Sequence, residues 1–507
     1  MKRAAPVFKS MVIFPLLLLF CACNIFMKQS APVDTTDRVQ PYAGNPFYLA
    51  WGDTPVFPIG ATDFHAWTPI SRPGMVNFHG QLNRIAGLIS ETGSPHVVGL
   101  VRLMPYDPNY TEVIRVLQPW VRMEDGRYDL ARFEPEWERR LKDYLDLARD
   151  LRIIVSLEVW DDWSVSRGVG GAWNPGPMRA WNGHPFNPGN NINYGNDILP
   201  ETTTECNAPF YSTLPSKSNI TEVLALQKLY VDHLLDIISD YPNVLINMSN
   251  ESRADLEWSR FWADYIRQRA PLMMVGDMPS TNGKDGGGEC EYIFSPMTLS
   301  TDPHFDYVDI AQAVSQHEFG RNPRRQALEG SKRIAGYRTA MREAGTERPL
   351  IVSKDYTRDP EGGAIVLWSR FVGGAASARF HRPRVGDHTE SVVNFQHEAV
   401  GNLGSFIARV PFWQMDIHPE VLSVTPPGAG ANVLTDLENH YVIQLIGGGE
   451  GEKLKLELSP GNWNVSWIDP GSGIEFFNYE AVVNSNELEL DIKGEFEHRI
   501  IYITKNQ

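Results

Sequence analysis

Cysteine is scarce: the 507-residue chain has four, and two of them, Cys21 and Cys23, fall in the first two dozen residues. Cys206 and Cys290 stand apart with no CxxC spacing, which excludes a disulfide-stapled scaffold and indicates no zinc site or other metal centre. Their isolation fits one disulfide and two buried free thiols equally. Basic clusters are also missing beyond the N-terminus, and a formal net charge of −16 sets nucleic acid aside, because phosphate binding needs a basic surface. No glycine-rich dinucleotide fingerprint follows the first strand-like run, which weighs against an open doubly wound sheet. Internal repeats and low-complexity tracts are absent too.

What is present is an ordinary globular composition, 42% hydrophobic and 21% charged, with an unusual wealth of aromatics: 14 Trp, 18 Tyr and 23 Phe. Such a chain suits ligands with apolar faces, sugars among them. The opening MKRAAPVFKSMVIFPLLLLFCACN has a basic start, Lys2 and Arg3, then an apolar stretch too short to span a membrane comfortably, as a secretory signal has. Ala22 immediately before Cys23 resembles a bacterial lipobox, so residues 1–23 are expected to be a lipoprotein signal with Cys23 lipidated. The expected location is the bacterial envelope, or the exterior if the lipobox is not used. Residues 24–44 then form a tether, and folding begins near Asn45.

From there, apolar β-branched runs alternate with segments of helical period. Eight strands are expected: residues 55–60, 96–103, 152–160, 243–249, 271–277, 306–314, 349–355 and 377–381. One intervening helix places Trp137, Leu141, Tyr144, Leu145 and Ala148 on a single face. Another does the same with Leu226, Leu229, Tyr230, Leu234, Ile237 and Ile238. Eight strand–helix alternations are the arithmetic of a (β/α)8 TIM barrel over residues 45–412. Residues 161–219 are too long for a plain connection and lie after strand three, so they are expected to roof the C-terminal face. From 413 to 507 the pattern turns to short alternating strands between Gly, Pro and Asn turns, a C-terminal β-sandwich.

Chemistry concentrates at strand ends. Asn250 and Glu251 follow the fourth strand, at the rim of the expected barrel mouth. In one reading Ser252 and Asp255 cap the next helix and Glu251 is merely a solvated acid near its positive end. In the other, Glu251 donates a proton to a glycosidic oxygen, which requires a second carboxylate across the bond. Arg102 ends strand two, His317 and Glu318 follow strand six, and Arg379 and His381 lie in strand eight. His65, Trp67, Trp160, Trp163, Trp173 and Trp181 are candidate sugar-stacking aromatics, about half of them expected in the pocket.

Together, NMSNES at strand four, Arg102 in VGLVRL, His317 and ARFHRP resemble the cellulase-like (clan A) glycoside hydrolases. Within that clan the chain is most similar to the apiosidase-like group, through NPFYLAWGDTPVFPIGATDFHAW and a C-terminal sandwich of the collagen-binding-domain type with a WNVSWIDPGSG-like segment. The resemblance implies an exported, cofactor-free enzyme cleaving an oligo- or polysaccharide by a two-carboxylate, retaining mechanism. It makes Glu251 the acid/base and Asn250 the residue holding the sugar 2-hydroxyl. The nucleophile belongs at the end of strand seven, where the clan has Glu and this chain has Lys354 and Asp355. Asp355 is therefore the expected nucleophile, with a salt bridge to Lys354 or a nearby Arg as the alternative. By their chemistry Arg102 would hold the nucleophile ionised or pin barrel strands, His317 would meet a substrate hydroxyl or be a satisfied rim residue, and Arg379–His381 would close the mouth or fasten the barrel to its last helix. Glu158, Asp161, Asp162 and Glu318 are reserves for an inverting pair with wider spacing. The alternative functions are a non-catalytic glycan-binding lipoprotein on a degenerate barrel and a surface adhesin whose sandwich binds polymer.

Overall fold

The computed structural model describes residues 37–506 except 62–68, 73, 75–76, 107–115, 166–179, 201–207, 281–293, 316–318, 321, 357–359 and 382–389. Eight parallel strands appear where the apolar runs placed them: β1 (Thr54–Gly60), β2 (Val97–Leu103), β3 (Ile153–Asp161), β4 (Val244–Asn250), β5 (Val275–Gly276), β6 (Val308–Asp309), β7 (Leu350–Ile351) and β8 (Ala378–Arg379). Their residues are buried almost throughout, as in a sheet covered on both faces. Parallel ladders join β1 to β4 in order, β4 to β5, β6 to β7, and β8 back to β1. A few backbone bonds link the other seams: Asp306 N–H to Val275 C=O at 2.7 Å and Asp309 N–H to Asp277 C=O at 3.1 Å between β5 and β6, and Ala376 N–H to Leu350 C=O and Asp355 N–H to Arg379 C=O, both at 2.8 Å, between β7 and β8. The domain is TIM-barrel-like. Gly276 in the two-residue β5 lets the Tyr307 ring pack close; a Cβ there would lie 2.6 Å from it.

Among the described residues, seven principal helices accompany the strands: α1 (Phe78–Glu91), α2 (Pro135–Asp150), α3 (Thr221–Ile238), α4 (Leu256–Arg269), α5 (Pro323–Ala344), α6 (Pro360–Val372) and α7 (Glu390–Ile407). On α2, Trp137, Leu141, Tyr144, Leu145 and Ala148 are the buried residues, the expected face in full. On α3 the stripe is shifted: Leu229 is 38% exposed, while Tyr230, Leu234, Ile237 and Ile238 are buried and Leu226 is partly so. Leu229 sits one residue, about 100°, off that stripe. The apolar run 306–314 is not one strand either, since Ala311–Val314 turns into a short helix.

The barrel interior is layered. Its lower part is apolar: Val56, Val98, Leu100, Ile154, Leu245, Met274, Tyr307 and Ile351 form one cluster with Val39, Leu49 and Trp51. Those last three come from Val39–Pro41 and Leu49–Trp51, two antiparallel strands preceding β1, so ordered structure begins before the expected Asn45. Charged residues occupy the opposite end. The described parts of 161–219 are short turns whose rings join a buried aromatic cluster, with Trp160 lying 5.2 Å from both Phe210 and Tyr230 and 5.7 Å from Trp262. The described rings of this region are aromatic core against α3 and α4.

After Phe412 the chain is sheet-rich: a six-stranded and a three-stranded antiparallel sheet, whose buried faces (Ile443, Trp463 and Val465; Leu454, Leu456 and Leu490) form one cluster. A second cluster is shared with the barrel, where Leu434, Val442, Ile468 and Ile500 meet Trp368, Phe371 and Phe406. Gln444 donates to the Ile365 carbonyl at 2.9 Å, and Trp368 to that of Pro470 at 3.1 Å. Among the described residues no helix is long and apolar enough to cross a membrane.

Candidate active site

Strand β4 delivers Asn250 and Glu251 to the charged end of the barrel. Glu251 takes a left-handed backbone, φ +53°, a conformation that costs energy for a residue with a side chain. The next residue fixes it: Ser252 N–H bonds the Met278 carbonyl at 2.7 Å, and Ser280 N–H returns to Ser252 at 2.9 Å. Ser252 therefore bridges to the segment after β5 and caps nothing. Helix α4 is capped instead by Asp255, which accepts from Trp258 N–H at 3.0 Å. The bland account of Glu251 as a solvated pre-helix acid fails with the expected Ser252 cap, since Glu251 is only 7% exposed.

Glu251 Oε1 accepts from Lys354 Nζ at 2.7 Å and from Gln312 Nε2 at 3.2 Å. The same Lys354 nitrogen donates to Asn250 Oδ1 at 2.8 Å, and Asn250 Nδ2 donates to Asp161 Oδ1 at 2.7 Å. A continuous polar chain thus runs Asp161–Asn250–Lys354–Glu251–Gln312, drawn from the ends of β3, β4 and β7 and the turn after β6. Burial pushes Asp161 up to about 6, against the hydrogen bond from Asn250 and assisted by the nearby Glu158 charge. Burial also lowers Lys354, and the Glu251 charge opposes this. Beneath the chain, Arg102 grips Glu158 with two bonds, Nη2 to Oε2 at 2.7 Å and Nε to Oε1. Asn247 donates to Asp309 at 3.4 Å in the same interior.

Asp355 does not join this chain. Its two oxygens accept from Arg370 Nε and Nη2, both at 2.8 Å, and neither side chain is exposed. Arg370 Nη2 also donates to the Val314 carbonyl at 2.7 Å, so the pair fastens α6 to the barrel wall. Consecutive residues of an extended segment point to opposite faces, and here Lys354 takes the interior and Asp355 the helix layer. The expected nucleophile is thus placed away from Glu251, and Arg102 holds Glu158 rather than Asp355.

Arg379 is buried and donates to the Ser353 carbonyl at 2.6 Å; burial and the Arg102 charge pull it down to about 9. His381, also buried, meets the Tyr356 ring edge-on at 5.2 Å. Trp160 and Trp181 are buried in the aromatic cluster, and Asp162 accepts from Tyr211 at 2.8 Å as part of the same packing. Cys23, His65, Trp67, Trp173, Cys206, Cys290, His317 and Glu318 lie outside the described residues, as does the side chain of Trp163. Two residues at the site were given no role in the chemistry expected from sequence. Gln312 was hidden in a run that reads as strand, and Lys354 was visible only as a neighbour of Asp355. Another buried acid, Asp277, raised by burial to about 7, accepts from Ser259, Ser249 and Met278 and serves packing.

No protein-family model matches the chain, and no curated protein matches it. Solved structures do. One titled simply a glycoside hydrolase superposes with a TM-score of 0.60 at 10% identity, over 94% of this chain and 99% of that one. A glycoside hydrolase family 5 protein from Bacteroides vulgatus ATCC 8482 gives 0.57 at 10% identity, over 94% and 95%. The chain shares the overall fold of these two structures, a TIM-barrel-like domain followed by a sheet-rich region. Both matches run through the barrel into the sheet-rich C-terminal region, since 94% of the chain extends well past Phe412. At this identity the likeness speaks for the fold alone, and the chemistry rests on the residues.

Proposed function

We propose that the chain is a glycoside hydrolase acting on an oligo- or polysaccharide, with Glu251 and Asp161 as its two carboxyls. The observation that carries this is the hydrogen-bonded chain joining them through Asn250 and Lys354, at the charged end of a glycoside-hydrolase fold. Acetal hydrolysis needs one group that holds a proton and one that does not. Burial raises Asp161 to about 6, which suits it to donate the proton to the leaving oxygen. A proton on Glu251 would break its ion pair with Lys354, so Glu251 serves as the carboxylate that activates water. With an amide and an ammonium between the carboxyls, the arrangement suits inversion, which requires roughly 6.5–9.5 Å, more than the roughly 5–5.5 Å of a retaining pair. This reverses the role of Glu251 expected from sequence. Purified protein screened against plant and algal polysaccharides should release reducing ends, and Glu251→Gln or Asp161→Asn should abolish that release while leaving binding intact. Release undiminished in either variant would remove the assignment.

One observation favours a second reading, a non-catalytic glycan-binding protein. Lys354 stands beside Glu251 at the end of β7, where the resembled clan carries its nucleophilic Glu. Retention of a polysaccharide with no product at any pH between 4 and 8 would select it. We also propose that residues 1–23 are a lipoprotein signal, with the segment between Cys23 and Val39 tethering the protein to the bacterial envelope. The support is the apolar run ending in Ala22–Cys23. Fatty-acid labelling that persists in Cys23→Ala would refute it. Residues 413–507 are read as a β-sandwich braced against α5–α7.

A further inference from the structure

Hydrolysis by two carboxyls uses Lys354 only as a counter-charge, yet its surroundings are those of a reactive amine. The side chain is 1% exposed, with Nζ 2.7 Å from Glu251 Oε1 and 2.8 Å from Asn250 Oδ1. The Arg102 cation and the Glu158 anion act on it from the barrel interior. A lysine that is desolvated, near a second cation and supplied with a proton acceptor is the arrangement in which an amine attacks a carbonyl. Other lysines differ: Lys332 is 72% exposed on α5 and Lys453 is 48% exposed on the C-terminal sheet, each paired with surface acids.

We propose that Lys354 forms a reversible imine with the open-chain aldehyde of a small sugar entering the barrel mouth. The ammonium first passes a proton to Glu251 across their hydrogen bond. The freed nitrogen lone pair then bonds to the aldehyde carbon, the C=O π electrons move to oxygen, and Glu251 returns the proton there to give a carbinolamine. Loss of that hydroxyl as water, with the second nitrogen proton, leaves the C=N bond; addition of water reverses every step. No oxidant or metal enters the balance. Burial, which favours the neutral amine, works in the same direction. The inference rests on the reading that the mouth admits a sugar, but not on cleavage of a glycosidic bond.

The test uses the full-length protein, D-glyceraldehyde and sodium cyanoborohydride, followed by peptide mapping in a mass spectrometer. The reduced adduct should accumulate on Lys354 at least about tenfold faster than on exposed Lys332, since the reactive fraction of an amine grows as its pKa falls. Lys354→Arg keeps a cation beside Glu251 but has no amine to condense, so it should lose that adduct and keep the Lys332 background. Labelling confined to surface lysines, or equal rates at the two positions, overturns the proposal. Glycosidic cleavage is scored separately, as reducing ends released without reductant. Labelled Lys354 without cleavage leaves the imine standing and removes the hydrolase, whereas cleavage without labelling does the reverse.

Discussion

Lys354 and Asp355 are neighbours in sequence, and each buries its charge against an opposite one, but in two different regions. In the helix layer, Asp355 and Arg370 are mutually saturated: two parallel bonds, further bonds from the guanidinium to two carbonyls, and no exposure on either side. In the barrel mouth, Lys354 divides its donors between Glu251 and Asn250, and the chain runs on to an acid shifted by burial, with Glu251 still touching solvent at 9% of its side chain. A saturated buried pair locks elements together. A shared one, linked to a group that can change protonation, can rearrange around a ligand, and perturbed groups of that kind concentrate at working sites.

That contrast can be broken by mutation. The largest effect is expected at the mouth: Glu251→Gln should cut turnover on the true substrate by about 10³-fold, within the usual range for losing an acid or base. Its melting temperature should fall less than that of the next variant, because Lys354, left without its partner, can shed its proton whereas an arginine cannot. Asp355→Asn should do the opposite, costing about 3–5 kcal/mol of stability because Arg370 is left buried without a counter-charge. Turnover per folded molecule should persist, so loss of activity at unchanged melting temperature would dissolve the distinction between the two pairs.

A subtler effect concerns pH. Asp161 is raised by burial from 3.8 to about 6, so the folded protein holds this proton more tightly than the unfolded chain does. The stability it confers is present below about pH 4 and is lost as pH rises through about 6. Thermal melts of Asp161→Asn should lack that part of the decline, gaining on the wild type at pH 7.5 relative to pH 4. Wild-type turnover should also fall through the same window as the donor loses its proton. A flat difference between the two melting curves would place Asp161 outside the titrating network. The smallest effect belongs to the exposed pair Lys332–Glu329 on α5, where Glu329→Gln should leave the melting temperature and activity unchanged.

Much of the architecture was readable because it is written in long, regular signals. The eight apolar runs and the Trp137–Ala148 face of α2 follow from periods that backbone geometry imposes. The site was harder. Glu251 was legible from its place at a strand end, whereas its partner was not, because β7 is a ladder of two residues followed by irregular backbone. There the alternation of faces gives no register, and nothing in VSKD tells which charge turns inward. The aromatics misled for a related reason: composition counts rings, but only packing shows that Trp160 faces α3 and α4 instead of a ligand. Val39–Pro41 was overlooked because it is short and lies in a polar stretch resembling a linker, and its role depends on pairing with Leu49–Trp51.

The strands ahead of β1 also decide traffic. With Val39, Leu49 and Trp51 wedged into the apolar floor, the barrel is a cup and not a pipe. Were a polysaccharide cleaved at the mouth as proposed, its fragments would leave over the same rim that admitted it, in competition with the next chain.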